Sequence, residues 1–440
     1  MNFEESLDYL LSLGHETLAI KLGLRNTEQL LDRLGNPQKS YQSVQIAGTN
    51  GKGSTAVVLD LICQAAGLNT GLYTSPHLVS ITERIVIAGQ EISRNDFACY
   101  ATTVRVAAND LVGREQLKAL PTFFEQVTAI ALLAFREAGV KLAILETGLG
   151  GRLDATTVAG AGIVAITPLA LDHQEYLGET LAEIASEKAA IIRPETTAII
   201  APQPAQALDV ILQRCNEAGV QPSLVEERQA VIHSATPDGR FKVTFETKAG
   251  RYENVQLGLR GRHQILNTAL ALRLAESLRD RGFDIPDASI IKGMERAEHA
   301  GRLELLDGAP SFLLDGAHNP SGAQALRRYL EEFVTGPITL VFGAMRDKKL
   351  EEIATILFPV ANQLVITRPD NPRSADVDEL AQVAEKLVAR EKINVTSSVE
   401  EAFDKANEIT PVSGLICVTG SLYLLGEMKR LIERRIEYKL

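Results

Sequence analysis

From about residue 43 to residue 220, the chain alternates short apolar runs with longer amphipathic stretches. The short runs predict buried parallel strands at 43–47, 142–145, 163–166 and 198–200. The longer stretches predict helices at 54–66, 123–138 and 181–192. Strands that alternate with helices in this way favour a doubly wound α/β domain, in which helices cover both faces of a mostly parallel sheet.

Two further patterns follow along the chain. Residues 230–233, 241–246 and 252–257 alternate apolar and polar side chains between Gly-containing turns, which predicts a small antiparallel sheet, and a helix follows at 265–281. A second strand and helix series begins near residue 302, with strands expected at 312–314, 338–342, 363–366, 395–396 and 415–418. We therefore expect an N-terminal domain of residues 1–298 and a Rossmann-like C-terminal α/β domain of residues 299–440.

Charge and composition exclude several classes of partner. The 440 residues include 45 Lys and Arg against 56 Asp and Glu, a net charge of −11, which argues against a general nucleic-acid or membrane-surface binder. An apolar run long enough to span a membrane and a basic leader are both missing, so we expect a cytoplasmic protein. The four cysteines form no CxxC pair and are expected to be small core residues. Any polyanionic ligand must be held by a local site.

The strongest local signal is the segment GTNGKGS at residues 48–54, between a predicted strand and a predicted helix. Glycines let backbone N–H groups turn toward an anion, the helix N-terminus adds its positive end, and Lys52 supplies a cation for phosphates. The alternative is a plain Gly-rich turn. The segment departs from the common P-loop because Ile46 stands at the first Gly position and Gly53 replaces the hydroxyl residue that binds Mg²⁺.

Metal ligands are therefore expected at the ends of neighbouring strands. Thr74-Ser75-Pro76-His77, Glu146 to Arg152 and Leu171-Asp172-His173 each follow a predicted strand. Parallel sheets bind ligands at the carboxyl ends of their strands. Taken singly, a Ser-Pro turn or a lone His is more often structural, but their shared placement favours a common site.

Several long motifs occur in order over nearly the whole chain. They are GTNGKGS, YTSPHL (73–78), ETGLGGRLDAT (146–156), LDH (171–173), EKA (187–189), HQ with Asn267, GRLE (301–304) and DGAHNP (315–320). Together they resemble the folylpolyglutamate synthase/dihydrofolate synthase family of the Mur ligase superfamily. The resemblance implies an ATP-dependent amide ligase, which phosphorylates a substrate carboxylate and lets the amine of L-glutamate displace phosphate from the acyl phosphate. The other substrate would be dihydropteroate, a reduced folate or both.

The resemblance also implies roles for individual residues. Lys52, His173 and a carbamylated Lys188 would be catalytic, and two Mg²⁺ sites are expected, with Ser75, Glu146 and His173 as metal ligands. ATP would contact Thr49, Asn50, Gly51, Lys52, Gly53, Ser54, Asn267, Arg302, Asp315 and His318. The pterin would lie against Leu22 and its neighbour Lys21, Gly23, Thr122, Phe124, Leu153, Asp154 and Ala155. L-Glutamate would contact His318 and Ser421.

Each of these roles has a structural alternative. His173 could be a capping or core histidine, Asp154 could cap a local turn, and one residue of Phe123-Phe124 could be ordinary core. Arg302 and Asp315 could form an interdomain ion pair. Lys188 could be a solvated helix lysine, but no acid lies three or four residues away, so we expect it on an apolar face. Carbamylation needs a neutral amine, hence a lowered pKa.

Three other functions remain as alternatives. A non-enzymatic nucleotide sensor would not need metal ligands around the γ-phosphate. A Mur-type cell-wall amino-acid ligase would usually have Thr or Ser after the loop lysine, where this chain has Gly53. A Rossmann dehydrogenase lacks its G-x-G-x-x-G after the first strand. We expect a bifunctional folate ligase that is monomeric and has small-molecule partners only.

Overall fold

In a computed structural model, which describes residues 1–14 and 23–437, an eight-stranded sheet forms the N-terminal part of the chain. Its spatial order is β4-β3-β2-β5-β1-β6-β7-β8. The strands are β1 (Gln42–Ala47), β2 (Thr70–Tyr73), β3 (Ile85–Ile87), β4 (Gln90–Glu91), β5 (Leu142–Glu146), β6 (Ile163–Ile166), β7 (Thr197–Ile200) and β8 (Ser223–Leu224). The pairs β2-β3 and β3-β4 are antiparallel, and the remaining pairs of this sheet are parallel.

Helices cover both faces of this sheet. They are α1 (Phe3–Ser12), α2 (Arg25–Arg33), α3 (Lys52–Ala65), α4 (Arg94–Gly113), α5 (Phe123–Glu137), α6 (Gln174–Leu177), α7 (Leu181–Ala189), α8 (Ala205–Ala218), α9 (His263–Asp280) and α10 (Asp287–Arg296). Ile144 packs in one core with α3, α9 and α10, whereas its neighbour Leu145 packs in the opposite core with α4 and α5. Alternate residues of a strand point to opposite faces, so an almost continuously apolar strand serves both cores. The predicted doubly wound domain is confirmed.

The small antiparallel sheet is also present. Its strands are β9 (Ala230–Ala235), β10 (Arg240–Glu246) and β11 (Arg251–Arg260), in the order β11-β10-β9. Phe241, Val243 and Phe245 alternate along β10 and enter the core that contains α9 and α10. This sheet therefore extends the N-terminal core and places the start of α9 beside the phosphate-loop helix α3.

The C-terminal part is a six-stranded sheet of order β12-β13-β17-β14-β15-β16, in which only β12 is antiparallel. The strands are β12 (Glu304–Leu306), β13 (Ser311–Asp315), β14 (Ile338–Phe342), β15 (Gln363–Ile366), β16 (Ile393–Val395) and β17 (Leu415–Thr419). The helices are α11 (Pro320–Phe333), α12 (Leu350–Leu357), α13 (Val377–Glu385), α14 (Val399–Ile409) and α15 (Leu422–Glu437). Cores lie on both faces of the sheet, as the second series predicts.

Two expectations need correction. The helix predicted at 181–192 ends at Ala189. Ile191 and Ile192 continue the apolar pattern because they are buried in the core beyond the helix end, not because they are helical. Cys99 is exposed on the solvent side of α4, so the prediction that all four cysteines are core residues is wrong for this one.

The boundary at residues 298 and 299 stays a prediction. Among the described helices, none is long and apolar enough to cross a membrane.

Candidate active site

A cavity of about 440 Å³ opens at the carboxyl ends of β1, β5 and β6 and is closed on its other side by the C-terminal sheet domain. Most of the predicted site residues line it together. They are Thr49, Asn50, Gly51, Lys52, Gly53, Ser54, Ser75, Thr122, Phe124, Glu146, Leu153, Asp154, Ala155, His173, Lys188, Asn267, Arg302, Asp315, His318 and Ser421. Gly23 is not among the lining residues, and Lys21 and Leu22 lie outside the described residues. Residues that are far apart in sequence are thus placed around one cavity.

The phosphate loop is held by close packing at its glycines. Gly51 precedes α3 with φ +88°, and a Cβ there would lie 2.2 Å from Asn267 Oδ1. A Cβ at Gly48 would lie 1.7 Å from Thr167 Oγ1. No side chain caps α3, so the N–H groups of its first turn at Lys52 to Ser54 are available to an anion in the cavity.

Gly53 has a steric reason. A Cβ at this position would lie 2.8 Å from His299 Cε1 and 3.3 Å from Glu146 Oε2, so the usual Ser or Thr would require the His299 side chain to shift. His299 Nδ1 also lies 3.1 Å from Ser54 Oγ, and burial lowers the pKa of His299 to about 3, with a smaller contribution from Arg302. No sequence pattern singles out His299, because only the fold brings it to the loop.

Glu146 is a buried carboxylate beside this loop. Its Oε2 accepts a 3.0 Å hydrogen bond from the Ser75 backbone N–H, and the residue is 6% exposed. Burial raises the pKa of Glu146, against the opposing charges of Lys52 and Arg302 and that hydrogen bond. A buried carboxylate with this little hydrogen bonding favours a nearby cation.

His173 is held in a neutral form. It is the N-cap residue before α6, with φ +50°. Burial lowers the pKa of His173 to about 3, even though Asp172 beside it acts in the opposite direction. A neutral imidazole can bind a metal ion through a ring nitrogen. Among the described residues, no three His, Cys, Asp or Glu side chains form a ready metal site, so any ion here also needs hydroxyl, water or substrate oxygens.

Lys188 lies in the last turn of α7 and is 5% exposed. The fully buried Ile184 lies one turn before it on the same side of the helix, and the fully buried Ile191 follows just after the helix end. Burial, and next the charge of Lys52, lower the pKa of Lys188 to about 7. Within residues 1–14 and 23–437, no side chain forms a hydrogen bond or ion pair with its amine. The expected apolar surroundings are present, and much of this amine is neutral near pH 7.

Asp154 caps a local turn, which was its structural alternative. Its carboxylate accepts hydrogen bonds from Leu149 N at 2.9 Å and from Thr156 N at 3.0 Å. Burial raises the pKa of Asp154, and these hydrogen bonds oppose the rise. Both oxygens are used by the protein, so Asp154 shapes the loop as well as lining the cavity.

Phe124 and Phe123 divide as expected. Phe124 lines the cavity against Gly148, where a Cβ would lie 2.5 Å from its ring, whereas Phe123 is 5% exposed and belongs to the core. Thr122, at the N-cap of α5, forms a capping box with Glu125. The capping box therefore stabilises the backbone conformation at this wall of the cavity.

The C-terminal side of the cavity carries Arg302, Asp315 and His318. Asp315 accepts hydrogen bonds from Leu303 N at 2.9 Å and Ala317 N at 3.0 Å, and Arg302 donates to the Gly316 carbonyl at 3.2 Å. Arg302 and Asp315 do not form the salt bridge given as their structural alternative. Burial raises the pKa of Asp315, and the charge of Arg302 opposes the rise. Ser421 is 3% exposed just before α15.

Sequence reasoning assigned no role to Asp172, which joins the two parts of the chain. Lys348 Nζ donates to Asp172 Oδ1 at 2.7 Å, and Asn319 Nδ2 and His318 Nε2 lie 3.2 and 3.4 Å from Oδ2. Burial alone would raise the pKa of Asp172. The pKa is instead held well below its usual range, mainly by the hydrogen bond and charge of His318 and further by the charges of His173 and Lys348. Asp172 and Asn319 lie inside motifs that the sequence already shows, whereas Lys348 carries no such signal.

Two domain families match the chain. Residues 46–275 match the Mur ligase middle domain, and residues 301–422 match the Mur ligase glutamate ligase domain. A "Dihydrofolate synthase/folylpolyglutamate synthase" of Mycobacterium tuberculosis is 33% identical over 458 residues, covering 97% of this chain and 93% of the relative. A "Probable bifunctional folylpolyglutamate synthase/dihydropteroate synthase" of Haloferax volcanii is 34% identical over 98% of this chain, which spans only 50% of that longer relative.

Solved structures agree over the full length. Mycobacterium tuberculosis folylpolyglutamate synthase complexed with ADP superposes with a TM-score of 0.90 at 32% identity, covering 98% of this chain and 99% of that one. A bifunctional folylpolyglutamate synthase/dihydrofolate synthase with Mn, AMPPNP and L-glutamate bound has a TM-score of 0.84 at 28% identity, with 98% of each chain covered. The chain therefore belongs to the Mur ligase family, on its folylpolyglutamate synthase/dihydrofolate synthase branch.

Proposed function

We propose that this chain is an ATP-dependent ligase that joins the amine of L-glutamate to the carboxylate of dihydropteroate and of reduced folates. The observation that carries the proposal is the single cavity in which an uncapped helix N-terminus with Lys52, the buried Glu146 and the aromatic wall at Phe124 face the C-terminal domain. Relatives whose names state both activities support the bifunctional form.

The reaction needs a good leaving group on the substrate carboxylate. The γ-phosphoryl of ATP is transferred to a carboxylate oxygen, the glutamate amine attacks the carbonyl carbon, and the C–O bond breaks as phosphate leaves with that oxygen. Lys52, the start of α3 and Arg302 line the cavity, and we propose that Lys52 and the first N–H groups of α3 hold the phosphates while Arg302 adds a cation. Contacts from both domains would exclude water, which would otherwise hydrolyse the acyl phosphate.

The donor set fits Mg²⁺. Glu146 offers a buried carboxylate with one backbone hydrogen bond, Ser75 offers a hydroxyl in the same wall, and His173 offers a neutral imidazole. A bound Mg²⁺ would neutralise charge on the phosphates. The Mn and AMPPNP complex of the related structure supports a divalent ion, and two Mg²⁺ remain our expectation.

Lys188 is proposed to carry a carbamate. Its lowered pKa leaves a neutral amine to attack CO₂, and the product is an anion that can help hold a second cation. The negative charge of the carbamate would then attract the nearby Lys52, whereas a protonated Lys188 amine would repel it.

The pterin is proposed to lie against Phe124, with Thr122, Leu153, Asp154 and Ala155 around it. An aromatic face suits a flat heterocycle, and Leu153, which is 37% exposed, offers an apolar surface in the same cavity. His318 and Ser421 are proposed to contact L-glutamate, while Asn267, Asp315 and His318 contact ATP. The monomeric state and the cytoplasmic location remain parts of this proposal.

The test uses purified protein with ATP, Mg²⁺ and L-glutamate, and either dihydropteroate or tetrahydrofolate. We expect phosphate release and an amide product with each pterin substrate, and neither without it. Activity with only one would reject bifunctionality. Nucleotide binding without any turnover would reject the ligase and favour a nucleotide sensor.

A further inference from the structure

Asn319 has no role in the proposed reaction, but its side chain bridges the C-terminal and N-terminal parts of the chain. It is the N-cap of α11 in the C-terminal domain, where its Oδ1 accepts a hydrogen bond from Gly322 N at 2.8 Å. The residue is 3% exposed, so its remaining polar atom must find partners inside the protein.

Those partners belong to the N-terminal part of the chain. Asn319 Nδ2 donates to Asn50 Oδ1 at 3.0 Å and to Asp172 Oδ2 at 3.2 Å. The cap requires an acceptor and the two contacts require a donor, so the network fixes which way the amide points. The Asn319 side chain thus accepts one hydrogen bond from its own helix and donates two to the N-terminal part of the chain.

The two contacted segments are parts of the nucleotide site. Asn50 lies in the phosphate loop after β1, and Asp172 lies in the loop after β6, the strand that pairs with β1. The backbone N–H of Asn50 is tied to the Pro168 carbonyl of that second loop at 3.3 Å. The side chain at the N-cap of α11 therefore contacts both loops and holds them in one arrangement.

We propose that Asn319 is a positioning residue that links the placement of the C-terminal domain to the conformation of the phosphate loop. Through Asn50, the docked domain holds the loop in its anion-binding shape, so that nucleotide affinity depends on α11 being in place. The inference rests on the proposed function for its nucleotide, but not for the folate substrate.

The test compares variants that keep the helix cap. Ser caps a helix as well as Asn does but cannot reach Asn50 or Asp172, so Asn319→Ser keeps the cap and loses two buried hydrogen bonds. Its unfolding midpoint should fall modestly, and nucleotide binding is therefore measured at a temperature where the variant is fully folded. We expect its dissociation constant for AMPPNP with Mg²⁺ to rise at least about fivefold, the lower end of typical coupling between sites. In an Asn50→Ala background the same substitution should have a much smaller effect, because the shared contact is already lost.

Ser398→Ala is the matched control. It removes the N-cap of α14 in the same domain, at a position that does not line the cavity, and should lower the unfolding midpoint without changing nucleotide affinity. Unchanged affinity in Asn319→Ser, or an equal loss in both backgrounds, would overturn the inference. Binding of AMPPNP is measured without turnover, so the affinities can be compared even if the wild-type protein does not ligate glutamate. Absence of ligation would reject the proposed function but would not affect this comparison.

Discussion

Replacing Lys188 with Met should stabilise the protein at low pH and abolish its proposed activity. The lysine is buried, and its pKa falls from 10.5 to about 7, mainly through burial and then through the charge of Lys52. Met has a similar length and no charge, so it removes the buried cation with little change in packing.

The sign of the pH dependence follows from the lowered pKa. Below about pH 7 both the folded and unfolded chains carry the proton, and the cost of burying the charge is fully present. Between pH 7 and 10.5 the unfolded chain binds more protons than the folded one, so this contribution to the unfolding free energy rises with pH. Lowering a pKa by one corresponds to about 1.4 kcal/mol. The pKa of Lys188 falls from 10.5 to about 7, so burying its charge at low pH costs on the order of 5 kcal/mol of unfolding free energy.

Urea unfolding in CO₂-free buffer measures this directly. We expect Lys188→Met to be more stable than wild type by a few kcal/mol near pH 6, with the difference shrinking toward pH 10. Lys248→Met, at an exposed position, is the control and should show no such trend. A difference that does not vary with pH, or a variant that is less stable near pH 6, would refute the reasoning. Carbon-13 NMR with labelled CO₂ should show a carbamate signal in wild type that the variant lacks.

Three further outcomes are expected. Lys52→Ala should lower kcat by at least about 100-fold, since one positioned electrostatic contact is worth about that much, and near wild-type turnover would contradict the phosphate-loop assignment. Gly426→Ala places a Cβ 2.0 Å from the Leu78 carbonyl oxygen, so α15 must move away from the loop that carries Ser75. It should cost roughly 1–3 kcal/mol in urea unfolding, whereas an unchanged midpoint would show that the contact is loose. Removing Mg²⁺ with a chelator should weaken ATP binding measured by calorimetry, and unchanged affinity would count against the metal ligands.

The sequence predicted the sheets well because buried parallel strands read as apolar runs, whatever surrounds them. The strands at 163–166, 338–342 and 363–366 have the predicted bounds. Helix ends were predicted less accurately, since Ile191 and Ile192 continue the apolar pattern for packing rather than for helix formation. Cys99 was misplaced because composition does not reveal which face of α4 meets solvent.

For the candidate site, long motifs predicted which residues gather, but not how they bond. Asp154 is inside a motif, yet only the structure shows that its carboxylate also caps a turn. His299 and Lys348 were missed because their importance depends on contacts with Ser54 and Asp172, far away in sequence. A net charge of −11 argues against general binding of nucleic acid or membrane surfaces, whereas Lys52, Arg302 and the start of α3 concentrate positive charge at one cavity.

The most direct test of the central claim follows oxygen from substrate to phosphate. Dihydropteroate labelled with oxygen-18 in its carboxylate is incubated with the protein, ATP, Mg²⁺ and L-glutamate, and the released phosphate is analysed by mass spectrometry. An acyl phosphate intermediate predicts that each phosphate carries one labelled oxygen and that an equal amount of amide forms. Unlabelled phosphate, or phosphate release that is independent of the pterin carboxylate, would contradict the account.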